Sequence, residues 1–279
     1  MTNTKRARRV AVRADESELT MLERSRVPSR ERVAMLRWTA GIGAATAEAL
    51  AQLQGASIAS ARTRLSAAVD EGLLSRHRLL TGQPALYSVT RAGLRATGLS
   101  GLDPCRVSAA SSQHLIACAH AAAALQRCYP DHTLMGEREL RREEHQAGAP
   151  VASAVLGRAA GDRPLLHRPD VVLWPPTTRP RRAEAERPIA VEVELTIKAP
   201  RRLADICRAW ARSRLVAGVL YLAAPEVEGA LERALATARA DERIVVVPLD
   251  ALPDAAVPSC GPREPSQAIP SVPSGGSTN

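Results

Sequence analysis

The order of apolar and polar positions divides the chain into helical and extended stretches. From Pro28 the pattern is helical. Ser29 is placed to cap a helix over "RERVAMLRW", with Glu31 in its first turn and Val33, Leu36 and Arg37 near one stripe. After "TAGIG", the run "AATAEALAQLQ" predicts a second helix that buries Ala49, Leu50 and Leu53 and stops at Gly55. Ser57 then caps a third over "SIASARTRLSAAVDEG". There Ile58, Ala61, Leu65, Ala68 and Val69 keep the helical period until Gly72 closes it. "LLSRHRLLTGQPALYSVTRAGL" reads as two strands around a Thr-Gly-Gln-Pro turn.

Beyond a linker, "GLSGLDPC", an Ala-rich helix is predicted from about Ser108 to Cys128, with Leu115, Ile116, Ala119 and Leu125 on or near one face. A charged stretch, "GERELRREEH", and a Gly/Ala-rich segment follow. The pattern then alternates. "DVVLW" is a strand, "TTRPRRAEAERP" a charged hairpin loop and "IAVEVELTI" a strand. "APRRLADICRAWARSR" is a helix, "VAGVLYLAA" a buried strand, "PEVEGALERALATARA" a helix and "RIVVVPL" a last strand. That order predicts an open mixed sheet, parallel in its second half. Within it, "IAVEVELTIKAP" places Ile189, Val191, Val193, Leu195 and Ile197 on one face, and Ala190, Glu192, Glu194, Thr196 and Lys198 on the other. Such a strand either has one solvated face or carries a metal site.

Composition narrows the setting. No run of about 18 apolar residues occurs, so no membrane span is expected, and the basic N-terminus lacks the apolar core of a secretory signal. The expected location is the cytoplasm. The five cysteines show no Cys-x-x-Cys spacing and read as buried free thiols. His114 and His120 are six apart, on different faces of a helix, which argues against zinc. A net charge of +9 favours a polyanionic partner, and with aromatics at 2% and no Phe there is little to stack single-stranded bases. Duplex DNA is therefore the expected partner, with no membrane and with room for a homodimer. Only Lys5 and Lys198 among the 38 basic residues are lysines; this bias, with abundant Ala, suits a GC-rich bacterial genome.

Three short helices followed by a hairpin make the layout of a winged helix-turn-helix. The phrase "RLSAAVDEGLLSRHRLLTGQPALYSVTRAGLRATG" resembles the recognition helix and wing of bacterial winged-helix regulators. Ser60, Arg62, Thr63 and Arg64 lie off the apolar stripe of the third helix, on the side a major groove would meet. Arg76, His77 and Arg78 sit in or beside the first wing strand, where a phosphate or a minor groove would lie. The same module also serves protein contact or dimerisation.

Asp170 opens one strand and Glu192 and Glu194 lie on the next. If these strands pair, three carboxylates converge on one face and call for a cation; oxygen-only ligation suits Mg²⁺ or Mn²⁺, which would polarise a phosphodiester and activate water. "RPD" followed by "EVE" resembles the PD-(D/E)XK, or restriction-endonuclease-like, superfamily. That resemblance implies catalytic and metal-binding roles for Asp170, Glu192 and Glu194, although Glu194 stands where the motif usually has Lys, and Glu137 or Glu139 would supply a further acid. An extended chain rises about 3.3 Å per residue, which puts Lys198 roughly 20 Å from Glu192 and makes it a phosphate contact at the strand end. Arg201 and Arg202 join it as expected DNA contacts on the following helix.

Over roughly residues 30 to 250 the order of elements, with "HRPDVVLW…VEVELTIKAPRRL", resembles the bacterial replication-relaxation family of plasmid and mobile-element proteins. The resemblance implies a fold of N-terminal winged helix-turn-helix (28–100) followed by a mixed-sheet, α/β restriction-endonuclease-like domain (108–252). A flexible basic arm (1–27) precedes them and a disordered Pro/Ser/Gly-rich tail (253–279) follows. It also implies duplex binding in plasmid replication or relaxation, with a nuclease-like domain whose activity the sequence leaves open. An active Mg²⁺- or Mn²⁺-dependent endonuclease and a winged-helix transcriptional regulator with a sensing or dimerisation domain are the alternatives.

Overall fold

The computed structural model describes residues 29–99, 101–159, 161–176 and 187–252. The expected basic arm, most of the charged loop and the expected tail lie outside them. Helices α1 (Arg30–Ile42), α2 (Ala47–Gln54) and α3 (Ile58–Asp70) precede a hairpin of β1 (Leu74–His77) and β2 (Leu86–Val89) and a short α4 (Arg91–Ala96). Ser29, Thr46, Ser57 and Thr90 each accept a backbone N–H at the start of the helix they cap. Gly55 ends α2 in the left-handed conformation, with φ of 61°, which few other residues adopt cheaply. Leu36, Leu50, Ala61, Leu65, Leu74 and Tyr87 form the core of this part. The stripe of α1 differs from expectation: Met35, Leu36, Thr39 and Ala40 face inward. Arg37 is exposed and reaches the Thr97 carbonyl instead.

The second part is mixed α/β. After α5 (Ala109–Cys128) come β3 (Thr133–Gly136), α6 (Glu137–Ala147) and a separate hairpin of β4 (Ala154–Arg158) and β5 (Pro164–His167). They are followed by β6 (Val171–Trp174), β7 (Ile189–Glu194), α7 (Pro200–Arg212), β8 (Gly218–Ala223), α8 (Pro225–Ala238) and β9 (Ile244–Pro248). The five-stranded sheet has the order β3-β6-β7-β8-β9. Its first two pairings are antiparallel and its last two parallel. One face packs against α7 and α8 through Val172, Ala190, Val219, Leu203, Ile206, Trp210 and Leu231. The other packs against α5 through Val171, Val191, Val193, Cys118, Ala121, Ala122 and Leu125. The charged stretch 137–147 is helix α6. It buries Leu140 and Glu144, and Glu144 accepts from Arg168 Nε at 2.8 Å and from the Val151 N–H at 3.1 Å, which fixes the segment leading into β6.

Both parts pack on each other. Ala49 of α2 meets Ala119 and Ala123 of α5, and the end of α1 lies against the start of α6. At that crossing a methyl group on Gly136 would overlap the Gly41 carbonyl oxygen, a backbone atom that cannot swing away. Gly136→Ala is expected to cost about 1–3 kcal/mol of stability, the usual range for overpacking. A urea melt would show a lower midpoint, and an unchanged midpoint would show that the two backbones separate freely.

The alternating stretch is shorter and more deeply placed than its pattern suggests. β7 ends at Glu194, because β6 pairs only as far as Val191 and β8 stops opposite Glu194, at Ala223. Beyond that no strand among the described residues is left to pair on either side, and the chain turns toward Pro200, the first residue of α7. Neither face is solvated. Val191 and Val193 lie under α5, and Glu192 and Glu194 are buried on the α7 side.

Candidate functional site

The side chains of opposite charge gather at the end of β7. Asp170, just ahead of β6, has its carboxylate held from two directions. The Val193 N–H donates to Oδ2 at 2.7 Å, and His114 of α5 lies 2.9 Å from Oδ1. Glu192 receives the Trp210 indole N–H at 3.1 Å and lies 2.8 Å from His167 of β5. Glu194 pairs with Lys198. Each of the three carboxylates therefore has its own base, a requirement for charges this far from water.

Lys198 stands elsewhere than expected. Its distance of roughly 20 Å assumed that the chain stayed extended. Because the strand stops at Glu194, the next four residues turn back and bring the ammonium onto the Glu194 carboxylate. Burial pulls the Lys198 pKa down, while the nearby charges of Glu192 and Asp170 pull it up. Asp170, Glu192, Glu194 and Lys198 thus belong to one electrostatic cluster.

Sequence reasoning missed His114, Cys118, His167 and Trp210. Each left a faint signal: His114 and Cys118 are four apart on α5, hence on one face; His167 stands in "HRPD"; and Trp210 occupies the buried stripe of α7. The apolar positions Leu203, Ile206, Cys207 and Trp210 of that stripe are buried as expected, with Arg201 and Arg202 exposed at the helix start. Of the two candidate further acids, Glu137 is the better placed. Its backbone N–H donates to the Asp170 carbonyl at 3.0 Å, whereas Glu139 turns toward Gly41 of α1. Cys118 and Cys207 are buried free thiols, and burial pushes the Cys207 thiol up to about 11.

Burial raises the Glu192 pKa above the ordinary glutamate value. For His167, burial pulls down, but the charge and hydrogen bond of Glu192 outweigh it and the net shift is upward. Both folded-state groups thus hold protons more tightly than their unfolded counterparts. The histidine contribution is complete below its unfolded pKa of 6.5 and is lost as pH rises through the raised value. In Glu192→Gln the main upward influences on His167 are removed, burial and the charge of Lys198 pull its pKa down against Asp170 alone, and that slope is expected to reverse. The stability gap between parent and variant should be widest near pH 6 and close toward pH 9. Thermal melts in chelator-containing buffer across that range check it; a gap that widens with pH would contradict the pairing.

The expected three-carboxylate metal site is not assembled as such: the set of three donors that lie within 4.8 Å of one another among the described residues is His114, Cys118 and Asp170. Both Asp170 oxygens are engaged, but Glu192 Oε2 and Glu194 Oε1 have no hydrogen bond among the described residues. They are oxygen donors two residues apart on one face of β7.

A second surface lies in the N-terminal part. Arg62 of α3, Arg76 of β1 and Arg78 just after it line one open cleft of about 640 Å³ with Glu48, Tyr87 and the loop Leu79–Ala85. The Arg76 guanidinium lies over the Tyr87 ring, 5.9 Å from its centroid, in an otherwise exposed side chain. Thr63 and Arg64 are exposed and Ser60 half-buried on α3. Arg64 Nη1 donates to Gln54 of α2 at 2.8 Å, and Arg64 is outside the cleft lining. Arg62 is only loosely paired, 3.9 Å from Glu48.

No family model, no curated protein and no solved structure matches the chain. Fold and site define a mixed α/β protein with a buried acid–base cluster at the end of its central strand. No described helix is long and apolar enough to cross a membrane.

Proposed function

We propose that the chain binds duplex DNA through α3 and the β1–β2 hairpin, acting as a winged helix-turn-helix, in a plasmid or mobile-element protein of the replication-relaxation kind. The observation that carries the reading is the cleft in which Arg62, Arg76 and Arg78 converge from a helix and a hairpin. A helix entering a groove beside a hairpin on the backbone needs that arrangement of cations. The net charge of +9 supports it. Duplex affinity should fall linearly on a log–log plot against salt, since each phosphate contact releases counterions. Arg76→Ala and Arg78→Ala should each reduce that slope by about 1 if the side chain meets a phosphate. Fluorescence anisotropy with a labelled duplex measures both, and a chain that shows no duplex binding at low salt is not a DNA-binding protein of this type.

A second reading, metal-dependent phosphodiester cleavage by a restriction-endonuclease-like domain, is favoured by the return of Lys198 to the cluster. A divalent cation held by Glu192 and Glu194 would polarise a phosphodiester. Lys198 neutralises Glu194 and, in this reading, would hold a phosphate oxygen, with Arg201 and Arg202, exposed on the next turn, serving flanking phosphates. Asp170, pinned by Val193 and His114, sets the negative potential beside Glu192.

A further inference from the structure

His114, Cys118 and Asp170 form a donor set of a different kind from the carboxylates of β7. The imidazole nitrogen, the thiol sulfur and a carboxylate oxygen all lie within 4.8 Å of one another. Their convergence is built in by the fold. His114 and Cys118 are one helical turn apart on α5, and that helix is fixed over the sheet because Cys118, Ala121, Ala122 and Leu125 pack on Val191 and Val193. The Val193 N–H holds Asp170 so that its other oxygen faces His114.

We infer that His114, Cys118 and Asp170 bind a borderline-soft first-row cation, Zn²⁺ being the natural occupant, through one nitrogen, one sulfur and one oxygen.

Two observations carry this. Both Asp170 Oδ1, at 2.9 Å, and Cys118 Sγ, at 3.4 Å, lie against the same atom, His114 Nε2. One ring nitrogen carries one proton at most and cannot give a full hydrogen bond to both; a cation at their centre satisfies all three donors together. Second, Cys118 is buried and this contact is its one polar partner among the described residues, whereas the side chains of His114 and Asp170 are 42% and 19% exposed. An ion can therefore enter from the histidine side and end against a sheltered sulfur.

The donor types select the metal. Thiolate and imidazole suit Zn²⁺ and its neighbours and are poor ligands for Mg²⁺, which takes oxygen at octahedral positions. Three protein ligands leave a fourth position for water or a substrate atom, the pattern of catalytic rather than structural zinc sites. Asp170 is shared with the acid cluster, but the inference needs neither DNA binding nor cleavage.

The test uses the full chain, stripped of metal and titrated with Co²⁺. One equivalent should produce the visible bands of tetrahedral cobalt and a near-ultraviolet thiolate-to-cobalt band, and Zn²⁺ should displace both. Cys118→Ser should remove the thiolate band, and Cys128→Ser should leave it unchanged. His114→Gln, at a half-exposed position that leaves the core intact, should weaken Zn²⁺ binding by more than the roughly 10–100-fold that loss of an outer-sphere partner costs. Glu194→Gln should keep the cobalt spectrum even where it abolishes a response to Mn²⁺, which separates this site from the cleavage reading. An absent thiolate band, its persistence in Cys118→Ser, or Zn²⁺ affinity unchanged in His114→Gln would overturn the inference.

Discussion

If the proposed duplex binding holds and its guanidinium reads a guanine, Arg62→Ala is expected to weaken that binding by about 1–3 kcal/mol, a loss of roughly 5- to 150-fold in affinity. Arg64→Ala loses less. Both side chains are exposed on α3, but Arg64 is tied back to Gln54, whereas Arg62 projects into the cleft it shares with Arg76 and Arg78. The two variants differ in one exposed guanidinium each, so folding should be alike and the contrast reports on docking. Anisotropy titrations of both at one fixed salt concentration are the measurement. Equal losses would mean that the cleft is not the docking face, and an Arg64 effect larger than that of Arg62 would move the contact to the outer side of the helix. Deleting the N-terminal part is a poorer experiment, because it uncovers Ala119 and Ala123 of α5.

The second large effect is expected at Lys198. Lys198→Met leaves the Glu194 carboxylate, 7% exposed, without its cation, and so should lower stability. If the cluster cleaves phosphodiesters, the same change should cut the Mn²⁺-dependent nicking rate by about 100- to 1000-fold, the range typical when one preorganised donor to a developing oxyanion is removed. Glu192→Gln should abolish nicking and any rise in melting temperature with Mn²⁺, which for a single site at 100 times Kd corresponds to about 2.7 kcal/mol. Duplex affinity should change little in Glu192→Gln, since the proposed docking residues Arg62, Arg76 and Arg78 lie in the N-terminal part, whereas Lys198→Met should lose at most one phosphate contact. Nicking that survives in Lys198→Met would return this lysine to the strand-end phosphate contact that the bare sequence suggests.

Much of the local structure was legible because it depends on neighbours in the chain. The serine cap of α1, the glycine stop of α2 and the span of α5 follow from capping groups and helical period, and all stand where the pattern puts them. The parallel second half of the sheet followed equally from strands and helices of regular length. The β4–β5 hairpin and β3 left no usable trace. Each is four or five residues long, and such stretches gain their pairing from partners elsewhere, β3 from β6 across some 35 residues.

For the site, the sequence by itself determined which groups carry charge. Asp170, Glu192 and Glu194 were conspicuous as acids beside strands, and Lys198 as a rare lysine. Only the tertiary structure decided what they face. Alternation in "IAVEVELTIKAP" says that successive side chains point to opposite sides, but it cannot say whether either side is wet. That is set by the helices laid on both faces of β7, which turn a seemingly solvated row into buried carboxylates, each needing a base. The point where the strand stops is set by the ends of β6 and β8, and it alone carries Lys198 back to Glu194. His114 and Cys118 meet Asp170 across more than fifty residues for the same reason. A hydrogen bond or a metal ligand is a contact in space, and the spacing along the chain fixes such contacts only within a single element.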